Sequence, residues 1–208
     1  AETVLSSEYD YWTSTGVDTT ILTLGCNDTC LDLTIPYLSG DPAYIKKWKQ
    51  YLSKDKQKPK IALRYESKGN EVPNQFRSIQ PHVLLKFARL GQLFSFQRDG
   101  GEKKLLQYKD IIDLSPQLKT WEDTAAALSC MDYVVTSCTS IAHLAGAMGK
   151  KTLILTHMFP YFLWALPSQK TYWYPSVRIF RQPHYLDWEG SALEAYKWIS
   201  EDIKMNSK

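Results

Sequence analysis

The stretch that decides the fold is Met131-Asp-Tyr-Val-Val-Thr-Ser-Cys-Thr-Ser-Ile-Ala-His-Leu-Ala-Gly-Ala-Met-Gly-Lys-Lys-Thr-Leu-Ile-Leu155. It reads as strand, sharp turn, helix, turn, strand. Residues 133–136 are aromatic and β-branched, the signature of a buried strand. Residues 139–148 are small and apolar and read as a helix that Gly149 ends. Residues 152–155 form the next strand. The turn Thr136-Ser-Cys-Thr-Ser140 is rich in hydroxyls and opens that helix. A helix N-terminus offers unpaired N–H groups and the positive end of the dipole, so it suits a diphosphate at the carboxyl edge of a parallel sheet. Thr139 or Ser140 equally suits a plain helix cap. The two roles are compatible, and spacing alone favours the cap. His143, one turn in, is on the same grounds a packed residue before it is a catalyst.

The same alternation extends outward in both directions. Strands are expected at 61–65, 92–96 and 177–180, and helices at 79–90, 121–130 and 186–203. The segment 105–108 reads as extended. Repeated βα units imply a Rossmann-like parallel sheet with helices on both faces. Before them, residues 41–52 read as a helix with Asp41 as N-cap and Pro42 at the first helical position. A lysine-rich stretch, Lys54-Asp-Lys-Gln-Lys-Pro-Lys60, reads as a solvated linker and only weakly as a polyanion patch. Residues 1–58 are expected to form an N-terminal appendage and interdomain connector, with the Rossmann-like domain at 59–208. A short strand is expected at 19–24.

Bulk properties narrow the class. The chain has 208 residues, 44% hydrophobic and 23% charged, with a net charge of +3. That is ordinary for a globular protein and gives no reason to expect nucleic acid as a partner. No apolar run is long enough to span a membrane. Aromatic residues crowd the interval 159–188 and belong to a core before they belong to a cleft. Cys26 and Cys30 are spaced for a metal or a disulfide. Cys130 and Cys138 supply no second close pair, so reduced, metal-free thiols and a cytoplasmic location are expected. There is no GxGxxG after the first strand, no Walker loop and no GxSxG elbow, which argues against a dehydrogenase, a P-loop kinase or a hydrolase.

Several motifs in order resemble the C-terminal domain of heptosyltransferase-like (family 9) glycosyltransferases, especially the bacterial group fused to tetratricopeptide repeats. They are Asp123-Thr-Ala-Ala126, Met131-Asp-Tyr-Val-Val135 and Thr139-Ser-Ile-Ala-His-Leu-Ala-Gly-Ala-Met-Gly149. Further matches are Arg77-Ser-Ile79, Phe94-Ser-Phe-Gln97, Trp173-Tyr-Pro-Ser-Val-Arg-Ile-Phe-Arg-Gln182 and Asp187-Trp188. Tyr11-Trp12, Ile35-Pro-Tyr-Leu38 and Asp41-Pro42 are similar to the family's interdomain connector.

The resemblance implies the C-terminal half of a GT-B fold. It implies a nucleotide-diphosphate sugar as donor substrate, transfer without a metal, and no cofactor. Thr139, Ser140, Ala142 and His143 would surround the diphosphate. Ser95, Gln97, Arg98, Asp123, Thr124 and Arg77 would line the nucleotide side of the cleft. The general base would come from an N-terminal domain, the partner across the cleft, with a glycan, lipid-linked or protein acceptor. Three departures stand out. Cys138 replaces the family's aspartate, Tyr161-Phe-Leu-Trp164 replaces D-W-R-W so that Leu163 stands for an arginine, and Tyr65-Glu-Ser-Lys-Gly-Asn70 replaces a W-S-G-N loop. A lost arginine removes a forked phosphate donor, for which Arg64, Lys68 or Arg77 could compensate. The alternative reading is therefore a catalytically degenerate nucleotide-binding or scaffold domain.

Overall fold

The computed structural model describes residues 35–53, 58–67, 76–98, 100–105, 107–160, 162–164 and 168–206. Residues 35–208 belong to one compact unit. The strand expected at 19–24 and the Cys26–Cys30 pair lie outside the described residues.

Six strands form one parallel sheet: β1 (Lys60–Arg64), β2 (Gln92–Ser95), β3 (Ile111–Asp113), β4 (Tyr133–Thr136), β5 (Lys151–Thr156) and β6 (Val177–Arg181). Their order is β3-β2-β1-β4-β5-β6, every neighbouring pair parallel. β1 lies at the centre, with Ile61 paired to Leu93 on one side and Tyr133 on the other. Both faces are covered, so β1 and β4 are apolar runs rather than alternating ones.

The helices are α1 (Pro42–Tyr51), α2 (Pro81–Leu84), α3 (Trp121–Ser129), α4 (Ser140–Ala147) and α5 (Trp188–Asn206). On one face Ile61, Leu63 and Leu153 pack with Val83, Phe87 and the α5 residues Ala192, Ala195 and Ile199. On the other, Ala62, Phe94 and Val134 pack with Trp48 of α1, Ala126 of α3 and Ile141 of α4. The Rossmann-like α/β class expected from the alternation is the one observed. Among the described residues no helix is long and apolar enough to cross a membrane.

Local differences from the sequence expectation have physical causes. The helix expected at 79–90 starts only at Pro81, because proline holds Gln80 extended (ψ 129°). It then tightens to a 3-10 turn at Leu85–Arg89. In place of the extended piece expected at 105–108, Leu105 closes a 3-10 turn over Gly101–Leu105, and residues 107 and 108 belong to no strand. The edge strand is instead β3, whose three residues are too few to show a period.

Small residues let α4 lie close to its neighbours. Ala142, Ala145, Gly146 and Ala147 are buried, and a Cβ on Gly146 would sit 2.5 Å from Cγ of Tyr174. Gly149, at φ +67°, turns the chain out of the helix. The Ala147 carbonyl, left over at the helix end, accepts from the N–H groups of Tyr37 (3.0 Å) and Leu38 (3.3 Å). The crowded aromatic interval is divided. Trp164, Phe180 and Trp188 are core, whereas Phe159, Tyr172 and Tyr185 are exposed.

Candidate functional site

Strand order reverses between β1 and β4, and in open parallel sheets ligands bind beyond the carboxyl ends of the strands at that point. A cavity of about 200 Å³ lies there, lined by Arg64, Phe96, Arg98, Leu118, Trp121, Thr124, Ser140 and Ile141. Arg64 ends β1, Phe96 and Arg98 follow β2, Trp121 and Thr124 open α3, and Ser140 and Ile141 open α4. Arg64 is fixed: its Nη1 donates to the Phe96 carbonyl at 3.2 Å, and its own carbonyl accepts from Ser137 N–H at 3.0 Å. The indole of Trp121 is 61% exposed at the wall of the cavity.

Two helix N-termini meet here, and they differ. α3 is closed by its own side chains in a capping box: Thr120 Oγ1 accepts from Asp123 N–H, and Asp123 Oδ2 accepts from Thr120 N–H. α4 has Thr139 at the N-cap position but no side-chain cap bond. The Thr139 hydroxyl is instead paired with Thr136 Oγ1 at 3.0 Å. Among the described residues the buried Ser137 hydroxyl in the same turn has no hydrogen-bond partner. The simple-cap assignment for Thr139 is thus corrected, because its oxygen is turned back to the strand. Ser140 carries no cap bond either and stands exposed on the cavity wall.

The residues named from the sequence separate into those at the cavity and those behind it. Arg98, Thr124 and Ser140 line it. Thr139 lies beside it in the turn. Ser95 and Gln97 are buried braces. Gln97 N–H donates to Ser95 Oγ at 3.0 Å, and Gln97 Oε1 accepts from Tyr65 and Glu66 N–H. The Gln97 amide also donates to the Glu66 and Arg98 carbonyls, so all its polar atoms are used inside the protein. Asp123 is spent in the capping box. Arg77 donates to Ser67 Oγ and does not line the cavity.

Ala142 and His143 face another way. Ala142 is fully buried beside Trp164 and Tyr174, and its N–H donates to the Thr139 carbonyl. His143 stacks near Trp164, with Nδ1 3.3 Å from the Tyr174 hydroxyl, and burial pushes its pKa below the ordinary 6.5. Their side chains therefore do not surround the cavity. Cys138 accepts a hydrogen bond from the Trp164 indole at 3.2 Å, and Leu163 packs against the same cluster. Among the described residues no group of three or more His, Cys, Asp or Glu side chains is placed to hold a metal.

Sequence reasoning passed over Phe96, Leu118, Trp121 and Ile141, and named Arg64 only as a compensating cation. A readable signal existed for two of them. Arg64 is a charge closing an apolar strand, and Trp121 follows directly on the Thr120 cap.

No family model matches the chain. It is 30% identical over 167 residues to Protein FlbA of Caulobacter vibrioides, which covers 74% of this chain and 27% of FlbA. The chain thus spans about a quarter of that relative's length. The fold is shared with E. coli ADP-heptose LPS heptosyltransferase II, with a TM-score of 0.55, 13% identity, and coverage of 83% of this chain and 57% of that one. It is likewise shared with a family 9 glycosyltransferase from Veillonella parvula, with a TM-score of 0.54, 12% identity, and coverage of 89% and 56%. The chain therefore has the Rossmann-like fold of a GT-B, family 9-like glycosyltransferase domain, and it spans a little over half of each solved neighbour.

Proposed function

We propose that this chain binds the nucleoside diphosphate of a nucleotide-sugar donor in the cavity at the carboxyl edge of the sheet. In a complete enzyme it would serve glycosyl transfer. One observation carries the reading: the uncapped N-terminus of α4 opens beside two guanidinium groups, Arg64 and Arg98, at the topological switch point. Free N–H groups and fixed cations attract a diphosphate, and they favour it most as charge builds on the leaving group. On this reading the protein supplies that charge itself, and transfer needs no metal. Trp121 offers an exposed aromatic face on which a flat base stacks. The general base and the acceptor contacts are assigned to a facing N-terminal domain, joined in the whole protein to tetratricopeptide repeats.

A second reading, nucleotide binding without transfer, is favoured by Cys138 and Leu163. Both are tied into the Trp164 cluster and present no carboxylate or guanidinium to a ligand. Calorimetric titration of the chain with UDP, ADP and GDP tests binding, and no heat with any of them removes the proposal. Assay of the chain joined to its N-terminal domain separates the two readings, since donor turnover supports the first and binding without turnover supports the second.

A further inference from the structure

The charge of the chain is unevenly placed. Between residues 42 and 60 there are seven lysines, one aspartate and no arginine, in a protein whose net charge is only +3. The structure places much of this charge on one outer surface. α1 buries Trp48 against α3 and leaves Lys46, Lys47, Lys49 and Gln50 exposed. α1 runs alongside α3. Asp41 N–H meets Glu122 at the start of α3, while the Ile45 carbonyl approaches Cys130 at its end. Lys46, Lys49 and Gln50 share one shallow groove with Ile45 and Ser53, while Lys47 and Tyr51 border another with Gln117, Lys119 and Asp123 at the start of α3. Burial pushes the Cys130 thiol's pKa up, and the charges of Lys49, Lys150 and Lys60 act in the opposite sense. Asp132 offsets part of this charge by accepting from Lys60 N–H. Tyr44 and Tyr51 flank the lysines and are exposed.

We propose that the exposed lysine-bearing face of α1 docks the protein on an anionic lipid bilayer. Lysine is a mobile point charge suited to diffuse attraction by lipid headgroups, whereas recognition of a single phosphate favours the planar fork of arginine, which this surface lacks. Exposed tyrosines beside the lysines place an apolar ring and a polar hydroxyl at headgroup depth. The docking stands independently of nucleotide binding.

The test is co-sedimentation of the chain with vesicles of phosphatidylcholine alone and of equimolar phosphatidylcholine and phosphatidylglycerol. Binding to the second only, weakened by salt, is expected. Lys46→Glu/Lys47→Glu/Lys49→Glu is expected to bind at least about tenfold more weakly. Lys109→Glu/Lys197→Glu/Lys204→Glu makes the same charge change on exposed positions elsewhere and is expected to keep most of the binding. The milder Lys46→Gln/Lys47→Gln/Lys49→Gln guards against misfolding and should also bind more weakly. No binding to the anionic vesicles overturns the proposal, as does equal loss in both Lys→Glu triple variants. Duplex DNA binding at salt concentrations where vesicles are released would overturn it in favour of a nucleic-acid surface.

Discussion

The ring of His143 lies 4.9 Å from the ring of Trp164, inclined by 31°, with Tyr174 completing the cluster at 5.9 Å from the imidazole. Trp164 is fully buried, its indole donates to Cys138, and its carbonyl accepts from Arg181 at 2.5 Å. The conspicuous histidine of the motif thus braces α4 against the β5–β6 side of the molecule. It does not stand at the cavity.

A pH effect on stability follows. Burial lowers the His143 pKa, and burial with the Arg77 charge lowers that of His157. The unfolded chain therefore binds protons that the folded one refuses, and stability rises with pH through that window. The contribution is present above the unfolded histidine value of 6.5 and is lost as pH falls from there towards the lowered folded values. The melting temperature should drop between about pH 7 and pH 5, and His143→Phe should flatten part of that drop. Thermal melts across pH check this, and an unchanged slope in the variant contradicts it.

Ser140 gives the cleanest test of the cavity. It is exposed, lines the cavity and opens α4. Ser140→Glu places a negative charge where a diphosphate would sit, but that charge is favourable to the helix end by about 0.3–1 kcal/mol. Nucleotide binding should vanish in calorimetry while the melting temperature holds or rises. Retained binding would move the ligand elsewhere. Ala142→Glu is unsuitable as a probe, because burying a carboxylate among Trp164 and Tyr174 would unfold the protein.

Arg98→Ala and Trp121→Ala should separate charge from stacking. Loss of a charged hydrogen bond costs about 1.5–3 kcal/mol, so Arg98→Ala should weaken nucleotide binding roughly tenfold or more. Trp121→Ala removes an exposed ring, so binding should fall while the melting temperature changes little. Titration of both variants, with wild-type melts alongside, decides between these effects.

Asp123 is expected to matter for folding only. Breaking the capping box with Thr120→Ala should cost about 1 kcal/mol. At this chain length that lowers the melting temperature by about 2–4 °C, with nucleotide affinity unchanged. In Asp123→Asn, a large loss of affinity at unchanged stability would return Asp123 to the binding site.

Gly146→Ala probes the close approach of α4. Its Cβ would press on the Tyr174 ring at 2.5 Å. Overpacking of this kind costs about 1–3 kcal/mol. Gly146→Ala with Tyr174→Leu should recover part of the loss, which a double-mutant cycle of melts reads directly.

The sequence by itself determined the parallel α/β sheet, five of its strands and the turn that opens α4. Local chemistry carries that information: β-branched runs, helical spacing, Pro81 and Gly149. It also carried the resemblance whose fold the structure bears out. Tertiary structure alone decided which named residues reach the cavity. Thr139, Ala142 and His143 share one turn of sequence, yet a helix advances about 100° per residue, so they cannot all face one ligand. Which of them does depends on what α4 packs against, and that is set by Trp164 and Tyr174, more than twenty residues downstream. Gln97 carries the polar groups of a ligand contact, but its neighbours in space consume them as a brace, whereas Asp123 is taken up locally by the Thr120 cap three residues before it. Sequence lists the donors and acceptors available, whereas only the packed chain shows which are already bonded to one another and which are left for a ligand.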